Sequence, residues 1–382
     1  MAVALVIALA GCDVADFTES PTPSVPLDAT PTTLSGWHLL QIQDARLVPV
    51  NGSLLYDLNT PLFSDHAHKL RTVRLPPGKS ANFRREGPFD FPAGTVFTKT
   101  FYYPVVDGGL QKVGLGNELI KGQLALGQVK LIETRILIHR DTGWEALPYV
   151  WNDAQSEAHL AIAGDIQRIS LDGDEPFNYV VPTKNECASC HATDHTRGEL
   201  LPIGPKARHL NKVSPDTADG ASQPEGGQLR VWAAKGILTG LPDVSALPKA
   251  ASWPPSTGES LDHQARTYLD INCGHCHNPV GPADTSGLFL HAQETSMRRL
   301  GVCKPPIAAG RGTGGRDVSI FPGDKDKSIL YYRMLSRDPA VMMPELGRSL
   351  VHEQGAALIG RWIDQLPPGC GTLADWNPVV TN

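Results

Sequence analysis

No stretch of this 382-residue sequence reaches the roughly 18 consecutive apolar residues of a membrane-spanning helix. A transmembrane helix is therefore not expected. Positive charge is not in excess either: 34 Lys and Arg face 40 Asp and Glu, a formal net charge of −6. That balance gives no electrostatic reason to bind nucleic acid. Methionine is scarce, with five residues at positions 1, 297, 334, 342 and 343. A phosphate-binding loop is lacking. GRGTGGRD (310–317) is glycine-rich, but it has no Lys-Ser/Thr pair and follows no clear strand. Proline (32) and glycine (37), by contrast, are abundant and favour a loop-rich fold with β content over a pure helical bundle. The length predicts two or three domains.

Cysteine is also scarce, and its placement is informative. Cys187-Ala188-Ser189-Cys190-His191 and Cys273-Gly274-His275-Cys276-His277 both read C-x-x-C-H. With 7 Cys and 13 His in the chain, a shuffled sequence would almost never contain this pattern once. Metal knuckles, redox dithiols and c-type haem attachment sites all use such cysteines. A Cys₄ zinc site would leave His191 and His277 unexplained. A disulfide oxidoreductase would place its motif after a strand in a thioredoxin-like βαβ pattern, and neither motif sits in one. In haem attachment the two thiols add across the two vinyl groups of one macrocycle, and the adjacent imidazole faces the iron. The expectation is two covalently bound haem c groups, on Cys187 and Cys190 and on Cys273 and Cys276, with His191 and His277 as proximal iron ligands.

The N-terminal residues read MAVALVIALAGC. Ala2 to Ala10 form a short apolar core, without the Lys or Arg of a signal-peptide n-region. Leu9-Ala10-Gly11-Cys12 resembles a bacterial lipobox. The resemblance implies a signal peptide over 1–12, lipidation of Cys12, and an anchored rather than spanning protein on the periplasmic side of the envelope. Asp13 implies inner-membrane retention under enteric-type sorting. Residues 13–35, rich in Pro, Ser and Thr, read as a flexible tether. With Cys12 lipidated and four cysteines on haem, Cys303 and Cys370 remain. An oxidising compartment predicts a disulfide between them.

Along the chain, 36–180 is predicted to be β-rich and sandwich-like. TVRLP, GTVFTKTFYYPV, KLIETRILIHR and FNYVVP are β-branched and aromatic, and PPGKS, DGGLQ and DTGW break them. Residues 181–250 form a first haem-binding region whose motif lies at a loop or strand exit. Residues 258–370 form a second. There Ser260 is predicted to cap a helix that has Asp262 in its first turn and delivers Cys273. Ile359, Trp362, Ile363 and Leu366 recur at helical spacing and predict an amphipathic terminal helix.

ARTYLDINCGHCHNPVG, FPGDKDKSILYYRM, MMPELG and LIGRWIDQL together resemble a class I cytochrome c domain. By that resemblance His277 is proximal and Met343, just before Pro344, is the distal ligand, with Met342 as the fallback. With YDLNTPLFSDHAHK, FPAGTVFTKTF, ETRILIH and PTKNECASCH included, residues 50–370 resemble a family of bacterial di-haem c-type cytochromes. The fold class expected is α+β multidomain, with mostly α-helical cytochrome c-like haem domains after the β-rich one. The function implied is electron transfer in the envelope with redox partner proteins. No Met lies between His191 and His263. The sixth position of the first haem therefore falls to His195, His209, another histidine, a distant Met or nothing. His209 has the room that His195 lacks and is the assigned candidate. An open position would instead suit a di-haem peroxidase or another small-molecule oxidoreductase. Lys206 and Arg208 are candidate partners for haem propionates.

Overall fold

The computed structural model describes residues 25–215, 227–307 and 309–371. Cys12, Asp13 and the lipobox lie outside the described residues, as does the first part of the 13–35 tether. Among the described residues no helix is long and apolar enough to cross a membrane.

The first half of the chain is built of strands: β1 (Leu40–Gln43), β2 (Arg46–Pro49), β3 (Leu54–Leu55), β4 (His68–Arg74), β5 (Ala81–Asn82), β6 (Val96–Val106) and β7 (Gly109–Leu110). After them come β8 (Leu119–Ile120), β9 (Gln123–Ala125), β10 (Val129–Arg140), β11 (Gly143–Trp151), β12 (Ala158–Leu160), β13 (Asp165–Ile169) and β14 (Phe177–Val181). The long strands β6 and β10 are dense in Val, Ile, Thr, Phe and Tyr, which pack well on a pleated surface. Asp107 and Gly108 turn β6 into β7, both at positive φ (50° and 81°), as a tight hairpin requires. The main sheet has the order β12-β11-β10-β6-β4-β3, and a second, four-stranded sheet has the order β1-β2-β9-β8. Leu40, Leu47 and Leu124 of the second sheet pack on Leu70, Tyr102, Ile136 and Ile138 of the first.

The opposite face of the main sheet covers the C-x-x-C-H segments. A register shift between Leu131 and Glu133 bulges β10. Beyond the bulge Glu133 stands opposite Phe101 and Arg135 opposite Lys99. Val73, Phe97, Leu137 and Ala146 of this face share one core with Cys187, Leu210, Trp232 and Ile271.

The second half corrects the expected fold class. Strands take 25% of the chain and helices 22%, so the protein is mostly β, without predominantly α-helical cytochrome c-like domains. Seven α-helices are described: α1 (Glu186–His191), α2 (Ala207–Leu210), α3 (Gly227–Ala234), α4 (Leu261–Asn272), α5 (Met297–Leu300), α6 (Ile329–Leu335) and α7 (Glu353–Gln365). Only α4 and α7 exceed eight residues. The physical reason is the frequency of Pro and Gly between them, which stops helices before propagation repays nucleation. A further short strand, β15 (Leu238–Thr239), returns to pair with β5.

The two long helices follow their local signals. Ser260 Oγ accepts a hydrogen bond from His263 N (3.2 Å) and caps α4. On α7, Ile359, Trp362 and Ile363 are buried. They pack on Ala265, Tyr268 and Leu269 of α4. Trp362 Nε1 donates to Asp262 Oδ1 (2.8 Å). The expected Cys303–Cys370 disulfide forms, and it ties the residues after α7 to the segment after α5.

Candidate functional site

The first motif makes up most of α1, directly after β14. Thr183 and Glu186 exchange hydrogen bonds, Glu186 N to Thr183 Oγ1 (3.1 Å) and Thr183 N to Glu186 Oε2 (2.8 Å). This reciprocal pair closes the helix start. At i, i+3 and i+4, the side chains of Cys187, Cys190 and His191 share one helix face. The second motif continues from α4. Cys273 ends that helix, and His277 N donates back to Cys273 O (2.9 Å).

The motif segments abut. Cys276 Sγ donates to Ser189 O (3.3 Å), Asn278 Nδ2 to Thr193 O (3.3 Å) and His195 N to Val280 O (2.8 Å). The ligand atoms of Cys190, His275 and Cys276 all lie within 4.8 Å of one another. The sulfurs of Cys190 and Cys276 adjoin, with His275 beside them. That holds the Cys190 thiol well below its ordinary value and pushes Cys276 up. Burial raises Cys187, and it raises Cys273 to about 12.

Two adjoining clefts open on this junction. The first is lined by Cys187, Cys190 and His191 of the first motif. The main sheet adds Lys99, Arg135 and Leu137, and the residues around α7 add Arg348 and His352. The second, the larger, is lined by Cys273, Cys276 and His277, with Leu290, Ile329 and Leu330. Met343, Met334 and His275 line both. Cys190 and Cys273 also line both, so the two motifs share the junction: Cys187 and His191 face only the first cleft, and Cys276 and His277 only the second.

The two histidines are built alike. His191 Nδ1 is 2.8 Å from Leu201 O. His277 Nδ1 is 3.4 Å from Ser286 Oγ, and the Leu288 backbone also bonds its ring. Burial pushes both imidazoles down to about 4 against these bonds, so both are neutral at pH 7. Among the described residues no hydrogen bond engages Nε2 of His191. An anchored Nδ1 and a free, neutral Nε2 form the arrangement of an oriented iron or zinc ligand.

Met343 and Met342 are separated by their surroundings. Met343 lines both clefts, while Met342 is buried and lines neither. Arg348 fixes the loop before Pro344, donating through Nη2 to Met343 O (2.9 Å) and Ser336 O (3.0 Å).

His209 is not brought to the first cleft. It is fully buried on α2, and its Nε2 meets Asp270 Oδ2 of α4 at 2.9 Å. Asp270 also accepts from Ala292 N (2.9 Å) and has Lys206 at 3.9 Å. His209 thus serves as a polar cross-link between α2 and α4, and it lies outside the lining of the first cleft, with its Nδ1 buried and unpartnered. His195 is diverted too, 3.6 Å from Asp284. Lys206 and Arg208 are spent on Asp270 and Glu86. The histidines that do line the first cleft, besides His191, are His275 and His352. His352 stacks on Phe63 (centroids 4.2 Å apart, 7° between planes), and its Nδ1 lies 3.0 Å from Tyr268 Oη. Nothing in its local sequence distinguishes it; only packing of the α7 start against α4 singles it out.

No known family, no curated protein and no solved structure matches this chain.

Proposed function

We propose that this chain is a di-haem c-type cytochrome that transfers electrons in the cell envelope, anchored through Cys12. One observation carries the proposal: the two cysteines and the neutral, Nδ1-anchored histidine of each C-x-x-C-H motif line one of two adjoining clefts, with Cys190 and Cys273 at their junction. The donor set fits covalent haem. Cys187 and Cys190 would hold the first haem, with His191 on its iron. Cys273 and Cys276 would hold the second, with His277 and Met343 as the residues that would ligate its iron. Bound there, haem supplies reversible one-electron chemistry. The chain's own contribution is to orient the two imidazoles and present the thioether. Cys190 and Cys276 are in contact, so the two attachments adjoin and electrons can pass between them without a partner protein. The Cys303–Cys370 disulfide supports an oxidising compartment, where such bonds persist.

A second reading rests on a different observation. Cys190, His275 and Cys276 form a three-donor cluster of the kind that binds zinc. The readings exclude each other, because thioether formation consumes the sulfurs of Cys190 and Cys276. Protein matured in a bacterial periplasm separates them, through its intact mass, its haemochrome spectrum in alkaline pyridine and its metal content. The expected result is two haems and two irons per chain. Haem-free protein with one stoichiometric zinc would overturn the proposal. Carbon monoxide then tests the role. Two low-spin haems indifferent to it fit electron transfer, and a first haem that binds it readily points to small-molecule redox catalysis.

A further inference from the structure

The first cleft is walled on one side by an unusual row of the main sheet. Arg71, Lys99 and Arg135 stand directly opposite one another on β4, β6 and β10. Like charges in register across strands repel. Lys69, two residues before Arg71, adds a fourth cation. Lys69, Lys99 and Arg135 all surround the buried ring of Phe101, at 5.7, 4.8 and 4.5 Å from its centroid.

The acidic groups in contact do not balance this charge. Glu133, with no exposed surface, grips Arg135 with both oxygens (2.5 and 2.8 Å) and also accepts from Tyr179 Oη (2.7 Å). Asp57 bonds Arg71 (3.0 Å) but is shared with Lys212 (2.5 Å). Asp65, bonded by the backbone amides of Ser349 and Leu350, is one carboxylate acting on both Arg348 and Lys69. Glu186, in the cleft lining, is occupied by Thr183 N. Lys99 has no hydrogen bond or ion pair among the described residues, only its place over Phe101. A further cation lines the same cleft. Arg348 is 7% exposed, and its Nε is buried with no hydrogen-bond partner. Buried charge without a counter-charge is costly, and a cavity lined by it is stabilised by whatever anion enters.

We propose that the first cleft is an anion-binding site in which Lys99, Arg135 and Arg348 take a carboxylate or small oxoanion beside the Cys187–His191 motif. Glu133 acts through Arg135 as a positioning residue, presenting the guanidinium edge it leaves free. The crowding of cations around Lys99 supports this, since burial and then Arg71 and Arg135 hold its ammonium far below the ordinary value until an anion arrives. The carboxylate can come from two sources: a propionate of haem on this motif, which rests on the function proposed above, or a free anion, which does not.

The test uses full-length protein matured in the periplasm, as wild type, Lys99→Gln and Lys99→Arg. Formate and nitrate are titrated by calorimetry, and both haem midpoint potentials are measured. Binding of either anion at one site, weakened at least about tenfold in Lys99→Gln and retained in Lys99→Arg, assigns the site to a free anion. No anion binding, with one midpoint potential lowered in Lys99→Gln and restored in Lys99→Arg, assigns it to a propionate. Neither effect in folded protein overturns the proposal. If haemochrome analysis finds no haem, the cytochrome reading fails by itself, and calorimetry alone decides the anion site.

Discussion

At the scale of single residues, two adjacent methionines have separate fates. Met343 reaches the clefts, and Met342, in the same loop after α6, is buried away from them. Thioether ligation raises a haem's reduction potential. If the proposed haem is bound, Met343→Ala is expected to abolish the far-red absorbance band of oxidised His/Met haem and lower one midpoint potential. Met342→Ala should keep the band and instead cost about 2–5 kcal/mol of stability in a urea titration, the usual range for emptying a buried Met site. A band that survives Met343→Ala would remove Met343 from the iron.

At the scale of elements, α2 and α4 are joined by His209 and Asp270. Burial alone would raise the Asp270 carboxyl, but Lys206 and the His209 hydrogen bond outweigh it and hold the group far below the carboxylate range. His209 is lowered, chiefly by burial. Both folded-state values lie below the unfolded ones. Each group thus contributes stability that is present above its unfolded value, about 6.5 for His and 3.9 for Asp, and that is lost as the pH falls. Urea midpoints measured from pH 8 down to 3 should therefore decline, with the loss from His209 setting in below about pH 6.5 and that from Asp270 only below about 3.9. His209→Leu leaves the Asp270 charge buried and is expected to cost about 3–5 kcal/mol at pH 7. The visible spectrum should not change. A changed spectrum would return His209 to the list of ligands.

At the scale of the whole molecule, the Cys303–Cys370 bridge closes a span of 67 residues that contains α6, the Met343 loop and α7. Loop-closure entropy for such a span is worth about 4 kcal/mol in the unfolded state. The double variant Cys303→Ser/Cys370→Ser should lose stability of that order, seen as a lower Tm in calorimetry. An unchanged Tm would mean that α4–α7 packing alone restrains this half of the chain. The β half and the motif half are not independent in their packing, because one hydrophobic core contains both Phe97 and Cys187.

What the sequence determined by itself is local. The cap at Ser260, the buried stripe of α7 and the spacing that aligns Cys187, Cys190 and His191 follow from geometry over a few residues, and chain connectivity enforces that geometry wherever the segment lies. The Cys303–Cys370 pair was legible by remainder, once the other five cysteines had roles. Tertiary structure alone decided the rest. Lys99 and Arg135 read as ordinary strand residues until sheet register and the bulge at Leu131 turn them toward the first motif. His209 reads as a free ligand until α4 brings Asp270 within 2.9 Å of it. The expected helical domains gave way to loops, because their order comes from long-range contacts with the sheet and between motifs. Such contacts join residues far apart in the chain, and no local pattern of side chains encodes which of them will meet.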